Sequence, residues 1–209
     1  MEDERFRSAI RNFNRLRNSI LDEISKVIVG QNEVLKQIMA AVFAGGHCLM
    51  VGVPGLAKTA MVTAIASSMD LKFKRVQFTP DLMPSDITGI HYYNQKSGDF
   101  EFRPGPIIAQ VVLADEINRA TPRTQSALLE AMAEGMVSAD GTVWPLPRPF
   151  LIMATQNLVE THGTFPLPIS QLDRFMLSMT MGLPSAEEEV EILRRAEQGL
   201  PALSAVLTR

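Results

Sequence analysis

Gly52-Val53-Pro54-Gly55-Leu56-Ala57-Lys58-Thr59 is the stretch that decides the fold of this chain. The apolar run Cys48-Leu49-Met50-Val51 precedes it, and Ala60-Met61-Val62-Thr63-Ala64-Ile65-Ala66 reads as a helix after it. Strand, Gly-rich turn and helix N-terminus, in that order, make the context in which a loop cradles phosphate. The backbone N–H groups of the turn and of the first helical residues lack intrahelical partners, and the helix dipole adds to their pull on an anion. Lys58 is placed to reach β- and γ-phosphates as a point charge, and Thr59 to offer a hydroxyl to Mg²⁺. Ala57 departs from the usual Gly before the Lys. A positive φ there would strain it, whereas a place in the first helical turn would suit it.

A second signal comes from Gln110-Val111-Val112-Leu113-Ala114-Asp115-Glu116. The apolar run reads as a buried strand, so Asp115 and Glu116 emerge at its C-terminal end, where ligands sit in an open α/β sheet. Asp115 is a candidate for holding Mg²⁺ through water, and Glu116 for polarising the attacking water as a general base. Phe150 to Thr155 is a further apolar strand ending in Gln156-Asn157, and Asn157 either orients that water or is a surface turn residue. Arg174, in Gln171-Leu172-Asp173-Arg174-Phe175, is either a partner of Asp173 or a finger supplied to a neighbour's nucleotide. Arg119 and Arg123 read equally as exposed helix-start residues or as groups facing an adjacent subunit.

The rest of the chain supports a layered α/β protein. Phe6, Ile10, Phe13, Leu16, Ile20, Ile24 and Val27 recur at helical spacing, with Arg5, Arg7, Arg11, Arg15 and Arg17 as a solvated face. Ile28-Val29-Gly30-Gln31 breaks that helix, Asn32 to Ala44 resumes one, and Gly45-Gly46 ends it. Lys72 to Phe78 reads as a strand. Between Thr79 and Pro106, the runs Gly89–Tyr93 and Asp99–Arg103 form a hairpin through Gln95-Lys96-Ser97-Gly98. Pro122 to Glu134 is a helix with Pro in its first turn and Gly135 past its end. Val137 to Leu146 is a second hairpin turning at Ala139-Asp140-Gly141-Thr142. A short helix over Ile169–Arg174, a strand over Phe175–Met181 and a capping box at Ser185-Ala186-Glu187-Glu188 complete the series. Strands separated by helices imply a three-layer α/β fold with a five-stranded parallel sheet.

Composition narrows the function. The 209 residues are 46% hydrophobic and 21% charged, as a packed domain requires, and the net charge of −3 argues against nucleic acid as partner. The lone Cys48 reads as a small core hydrophobe in a reducing compartment. No run reaches the ~18 apolar residues of a membrane span, and Met1-Glu2-Asp3-Glu4-Arg5 lacks the order of a signal peptide, so a cytoplasmic location is expected. His47, His91 and His162 lack second ligands at metal spacing. Trp144 and the twelve methionines read as packing.

Taken together, these residues resemble MoxR-type AAA+ ATPases. The resemblance rests on Ile28-Val29-Gly30-Gln31, the Gly52–Thr59 loop, Gln77-Phe78-Thr79-Pro80-Asp81-Leu82, Pro84-Ser85-Asp86-Ile87-Thr88-Gly89 and Phe102-Arg103-Pro104-Gly105-Pro106. It continues through Leu113-Ala114-Asp115-Glu116-Ile117-Asn118-Arg119-Ala120, Thr124 to Met132, Ala154-Thr155-Gln156-Asn157 and Gln171 to Phe175, in unbroken order from about Val27 to Pro184. It implies a P-loop NTPase core over 28–183, preceded by an amphipathic helix over 1–27 and followed, over 184–209, by the start of a truncated helical lid. It implies ATP and Mg²⁺ as cofactors, with Val29 and Gly30 lining the adenine pocket and Gly52, Val53, Pro54, Gly55, Leu56, Ala57, Lys58, Thr59 and Ala60 on the phosphates. Asp115 and Glu116 map to Walker B, Asn157 to sensor 1 and Arg174 to the arginine finger. Ala57 is usual in this family. The segment Thr79–Pro106 corresponds to the helix-2 insert, and Val137–Leu146 to the hairpin before sensor 1. Such proteins form hexameric rings and act as chaperone-like remodellers, often beside partners carrying von Willebrand factor A domains, in metal-cofactor insertion or complex maturation. Leu158 departs from the Pro that often follows the sensor Asn, and none of Arg194, Arg195 and Arg209 matches sensor 2. A nucleotide switch with little turnover and a DNA-handling motor of the same branch are the alternative functions.

Overall fold

The computed structural model describes residues 2–139, 141–157 and 163–207; Asp140, Leu158, His162 and Arg209 lie outside them. Five parallel strands form the main sheet: β1 (Cys48–Val51), β2 (Phe73–Gln77), β5 (Val111–Asp115), β8 (Leu151–Gln156) and β9 (Leu177–Thr180), in spatial order β2-β5-β8-β1-β9. Two separate antiparallel hairpins supply the remaining strands. They are β3 (Gly89–Asn94) with β4 (Asp99–Pro104), and β6 (Met136–Ala139) with β7 (Thr142–Pro145).

The central strands are apolar throughout because both faces of the sheet are covered. Cys48, Met50, Val111, Leu113, Leu151 and Met153 point into one core, whereas Leu49, Val112, Ala114, Ile152 and Ala154 point into the other. Helices α1 (Glu2–Ser25), α2 (Asn32–Phe43) and α3 (Lys58–Ser68) build the first core, and α5 (Pro122–Glu134) the second. Ile20 and Ile24 of α1 are fully buried, whereas Phe6, Ile10 and Phe13 stay exposed, so only the end of that helix is anchored in the core. Each fully buried Ile or Leu contributes about 1.5–3 kcal/mol through the water it gives up. The Cys48 thiol sits in this layer and burial pushes its pKa up to about 12, which makes it chemically inert at neutral pH.

The two hairpins are joined by ring stacking: Phe102 of β4 lies on Trp144 of β7, with centroids 4.3 Å apart and planes at 12°. Their outer surfaces keep Tyr93, Phe100 and Val143 exposed. The chain between β2 and β3 contains an element that periodicity did not reveal, α4 (Pro84–Thr88), whose Asp86 carboxylate accepts from Met83 N at 2.8 Å. Five residues are too few for a 3.6-residue pattern to show. The short helix α6 covers only Ile169–Leu172, so Asp173 and Arg174 fall outside it. The last helix, α7 (Ala186–Gln198), opens on the expected capping box, in which Ser185 Oγ accepts from Glu188 N and Ser185 N donates to the Glu188 carboxylate.

His47 ties three strands together. Its Nδ1 accepts from Ile152 N at 3.0 Å, and its carbonyl accepts from Met176 N at 2.9 Å. Burial lowers the imidazole pKa against a smaller opposing contribution from a backbone hydrogen bond to Met132. The folded state therefore binds this proton less readily than the unfolded state. The stabilisation is full above about pH 6.5 and is lost as pH falls below it, at no more than about 1.4 kcal/mol per pH unit. Urea midpoints between pH 7.5 and 5 should show that slope, and His47→Asn should flatten it.

Candidate active site

The turn from β1 into α3 gives the site its floor. Gly52 is buried, and a Cβ there would come 3.0 Å from the Met181 carbonyl oxygen, so a side chain would have to push that backbone aside by a few tenths of an ångström. Gly55 and Ala57 both take positive φ, +86° and +55°. Ala57 is thus held in the left-handed region, and the first helical residue is Lys58. The strained alternative for Ala57 is the one the fold adopts, at a cost on the order of 1 kcal/mol. No side chain caps α3, which leaves its first amides directed at the turn.

Lys58 Nζ donates to the Gly52 carbonyl at 2.6 Å and so folds back over the loop. Burial lowers its pKa, opposed by the nearby carboxylates of Asp115 and Glu116. Those carboxylates stand at the C-terminal end of β5, as expected. One hydroxyl positions both: Thr155 Oγ1 on β8 donates to Asp115 Oδ1 at 2.6 Å and accepts from Glu116 N at 2.8 Å. The second Asp115 oxygen is held by Arg75 on β2, at 2.6 Å from Nη2 and 3.1 Å from Nε. Glu116 Oε2 accepts from Gln77 Nε2 and from Arg119 Nη1, each at 3.1 Å. Glu116 itself has φ +55° and begins a 3₁₀ turn over Ile117–Arg119.

Pro54, Gly55, Leu56, Ala57, Lys58, Thr59, Ala60, Arg75, Gln77, Asp115, Glu116, Thr155 and Asn157 enclose a polar cleft of about 460 Å³. Asn157 is only 5% exposed and its carbonyl accepts from Asn118 Nδ2 at 3.3 Å, so it is a buried cleft residue rather than a surface turn. Gln125, fully buried, donates to the carbonyls of Ile117, Ala120 and Phe165, which pins the turn after the carboxylates to the loop leading toward α6.

An apolar cavity of about 260 Å³ adjoins the cleft and shares Gly55, Leu56, Ala57 and Ala60 with it. Val29, Ile28, Met61, Pro184, Ile192 and Ala196 supply further wall. Gly30 has φ +68°, and a Cβ there would lie 2.2 Å from Glu188 Oε1, so the linker passes directly beneath α7. Gln31 fastens the same junction by donating to the Gly182 carbonyl at 2.8 Å. Arg195 lines this cavity and also donates to the carbonyls of Ser25 and Lys26 at the end of α1, at 2.6 and 3.0 Å. Its partner Glu191 is brought down to about 2 by hydrogen bonds from Arg194 and Arg195.

The structure defines the surroundings of two candidate arginines. Arg119 donates to Glu116 Oε2 of its own chain at 3.1 Å while its side chain stays 41% exposed. Arg174 is exposed and outside the cleft, and among the described residues no ion pair joins it to Asp173, which removes the local reading of that side chain. Sequence reasoning missed Arg75, Gln77 and Thr155, and it weighed Arg195 only as an arginine that matches no sensor 2. For Thr155 a signal existed, a lone hydroxyl in an otherwise apolar run that ends beside Asn157.

A five-stranded parallel sheet with a Gly-rich loop, uncapped helix, Lys and strand-end carboxylates defines a P-loop NTPase core. Residues 47–177 match the model of the ATPase family associated with various cellular activities (AAA). The chain is 53% identical over 181 residues to the uncharacterized protein YeaC of Bacillus subtilis, covering 87% of this chain and 57% of that protein. It is 45% identical over 186 residues to chaperone MoxR1 of Mycobacterium tuberculosis, covering 89% of this chain and 49% of that protein. A crystal structure from Cytophaga hutchinsonii, assigned as an ATPase, superposes with a TM-score of 0.86 at 43% identity, over 97% of this chain and 63% of that one. The chain belongs to the AAA family of ATPases and is of the MoxR type. It spans about half the length of the curated relatives that it matches.

Thr155→Val preserves shape but leaves Glu116 N without its acceptor and Asp115 Oδ1 without its donor. Unfolding in urea should show a loss of about 1–3 kcal/mol, while Thr155→Ser should keep most of the parental stability.

Proposed function

We propose that this chain binds and hydrolyses Mg²⁺-ATP and uses the cycle as a chaperone-like remodeller of protein complexes. The observation that carries the reading is the pairing of two spaces: an apolar cavity sized for a base opens into a polar cleft lined by a phosphate-type loop. The donor set in that cleft fits a metal–triphosphate. Hard oxygen ligands from Thr59 and Asp115 stand beside the Lys58 cation and the amides of the loop. Mg²⁺, when bound, would neutralise charge on the phosphates.

In this reading, Val29 and Gly30 border the adenine, and residues 52–60 wrap the phosphates. Lys58 exchanges the Gly52 carbonyl for phosphate oxygen. Thr59 and Asp115 would hold the metal. Glu116, oriented by Gln77 and by its bond from N to Thr155, accepts a proton from the attacking water. Asn157 positions that water. Arg174, exposed and unpaired to Asp173, serves the nucleotide of a neighbouring copy in a hexameric ring. Residues 28–183 form the ATPase core, 1–27 an appended helix, and 184–209 the opening of a lid. The similarity to chaperone MoxR1 supports the chaperone-like part of this reading; complex maturation or metal-cofactor insertion, von Willebrand factor A domain partners and a cytoplasmic location rest on the resemblance of the sequence motifs alone. No helix among the described residues is long and apolar enough to cross a membrane.

Glu116→Gln should leave ATP bound while lowering single-turnover hydrolysis by a factor of about 10² or more, and Lys58→Ala should remove binding in an equilibrium titration. Hydrolysis by Glu116→Gln at the parental rate would refute the base assignment. Mixing Arg174→Ala with Glu116→Gln protein should restore part of the activity that neither has alone. Absence of rescue would refute a role in trans.

A further inference from the structure

Asp115 is the carboxylate expected to serve the metal, yet both of its oxygens are already engaged. Oδ1 accepts the Thr155 hydroxyl at 2.6 Å, and Oδ2 is gripped by the Arg75 guanidinium at 2.6 and 3.1 Å. The Thr155 side is fixed, because Thr155 is 1% exposed within the central sheet. The Arg75 side is not: its side chain is 48% exposed, on the edge strand β2, while that of Asp115 is 14% exposed. A guanidinium in this position already supplies the positive charge that the carboxylate needs. A divalent cation approaching the same oxygen meets that charge at close range, where repulsion is several-fold stronger than in bulk water. Two N–H groups of Arg75 already occupy Oδ2, so a cation, or the water through which it reaches Asp115, finds an acceptor there only as Arg75 gives way, and Arg75 has open solvent to move into.

We propose that Arg75 competes with the divalent cation for Asp115, so that it sets how much metal the nucleotide site requires. Arg75 satisfies Asp115 until the cation takes its place, and it then swings off the edge strand. The same guanidinium donates to Gln77 Oε1 at 2.7 Å, so its departure also frees the residue that touches Glu116. This inference rests on the nucleotide-binding reading above and adds a residue that the phosphate loop and the acidic pair do not include.

The test is an equilibrium Mg²⁺ titration of the protein saturated with a fluorescent ADP analogue, which reads metal binding without turnover. Arg75→Gln should lower the Mg²⁺ midpoint about three- to tenfold at low salt. The gap from the parental protein should narrow as salt screens the ion pair. Arg75→Lys, which keeps the charge, should stay within about twofold of the parental midpoint. A midpoint unchanged or raised in Arg75→Gln would overturn the proposal, as would weaker metal-free nucleotide binding with an unchanged midpoint, which would make Arg75 a phosphate ligand. Failure of the parental protein to bind nucleotide at all would instead overturn the reading on which the inference rests.

Discussion

The hydroxyl of Thr155 is the point on which the site depends. It stands between two parallel strands, donating to the last residue of β5 and accepting from the amide of Glu116 just beyond it. Because β5 and β8 run in register through Val111↔Leu151 to Ala114↔Ala154, they end together, and a short polar side chain on one reaches the carboxylate on the other. That single bridge fixes two acidic groups with different exposures and different partners. Asp115 then faces Arg75, and Glu116 faces Gln77 and Arg119. A buried hydroxyl with both of its functions used is rigid, and rigidity of the acidic pair is what a base and a metal ligand both require.

A second constraint acts at the other end of the cleft. The loop from Gly52 to Thr59 must turn from β1 into α3 within a few residues, and it does so by placing Gly55 and Ala57 at positive φ. The strain at Ala57 is held by packing on both sides, with Leu56 inserted into the first core and Met61 accepted by the Ala57 carbonyl one turn later. The apolar cavity beside the loop is closed by α7, which Arg195 pins to the end of α1 and Gln31 pins through Gly182. Elements far apart in sequence, residues 25–31 and 182–200, thus converge on one wall. Their junction gives the site its apolar half.

Much of this was legible in the sequence because it rests on local rules. The phosphate loop, the strand ending in Asp115-Glu116, the helix over Pro122–Glu134 and both hairpins follow from periodicity, glycine placement and proline placement. The parts that were not legible depend on tertiary proximity. Arg75 sits in an alternating stretch, Lys74-Arg75-Val76-Gln77, where a cation reads as solvated; only the β2–β5 pairing puts Arg75 level with Leu113 and within reach of Asp115. Arg195 matches no expected arginine in the sequence, and its bonds to the end of α1 exist only because α7 folds over it. Gln125 likewise carries no local signal of the three carbonyls it collects.

The central claim is that a metal–triphosphate occupies the cleft between the Gly52–Thr59 loop and the tips of β5 and β8. A crystal structure of the protein grown with Mg²⁺ and a non-hydrolysable ATP analogue tests it most directly. The account predicts phosphates on the loop amides with Lys58 Nζ drawn away from the Gly52 carbonyl, the base in the cavity beside Val29, and the metal between Thr59 and Asp115. A nucleotide bound elsewhere, or a cleft left empty at saturating ligand, would contradict it.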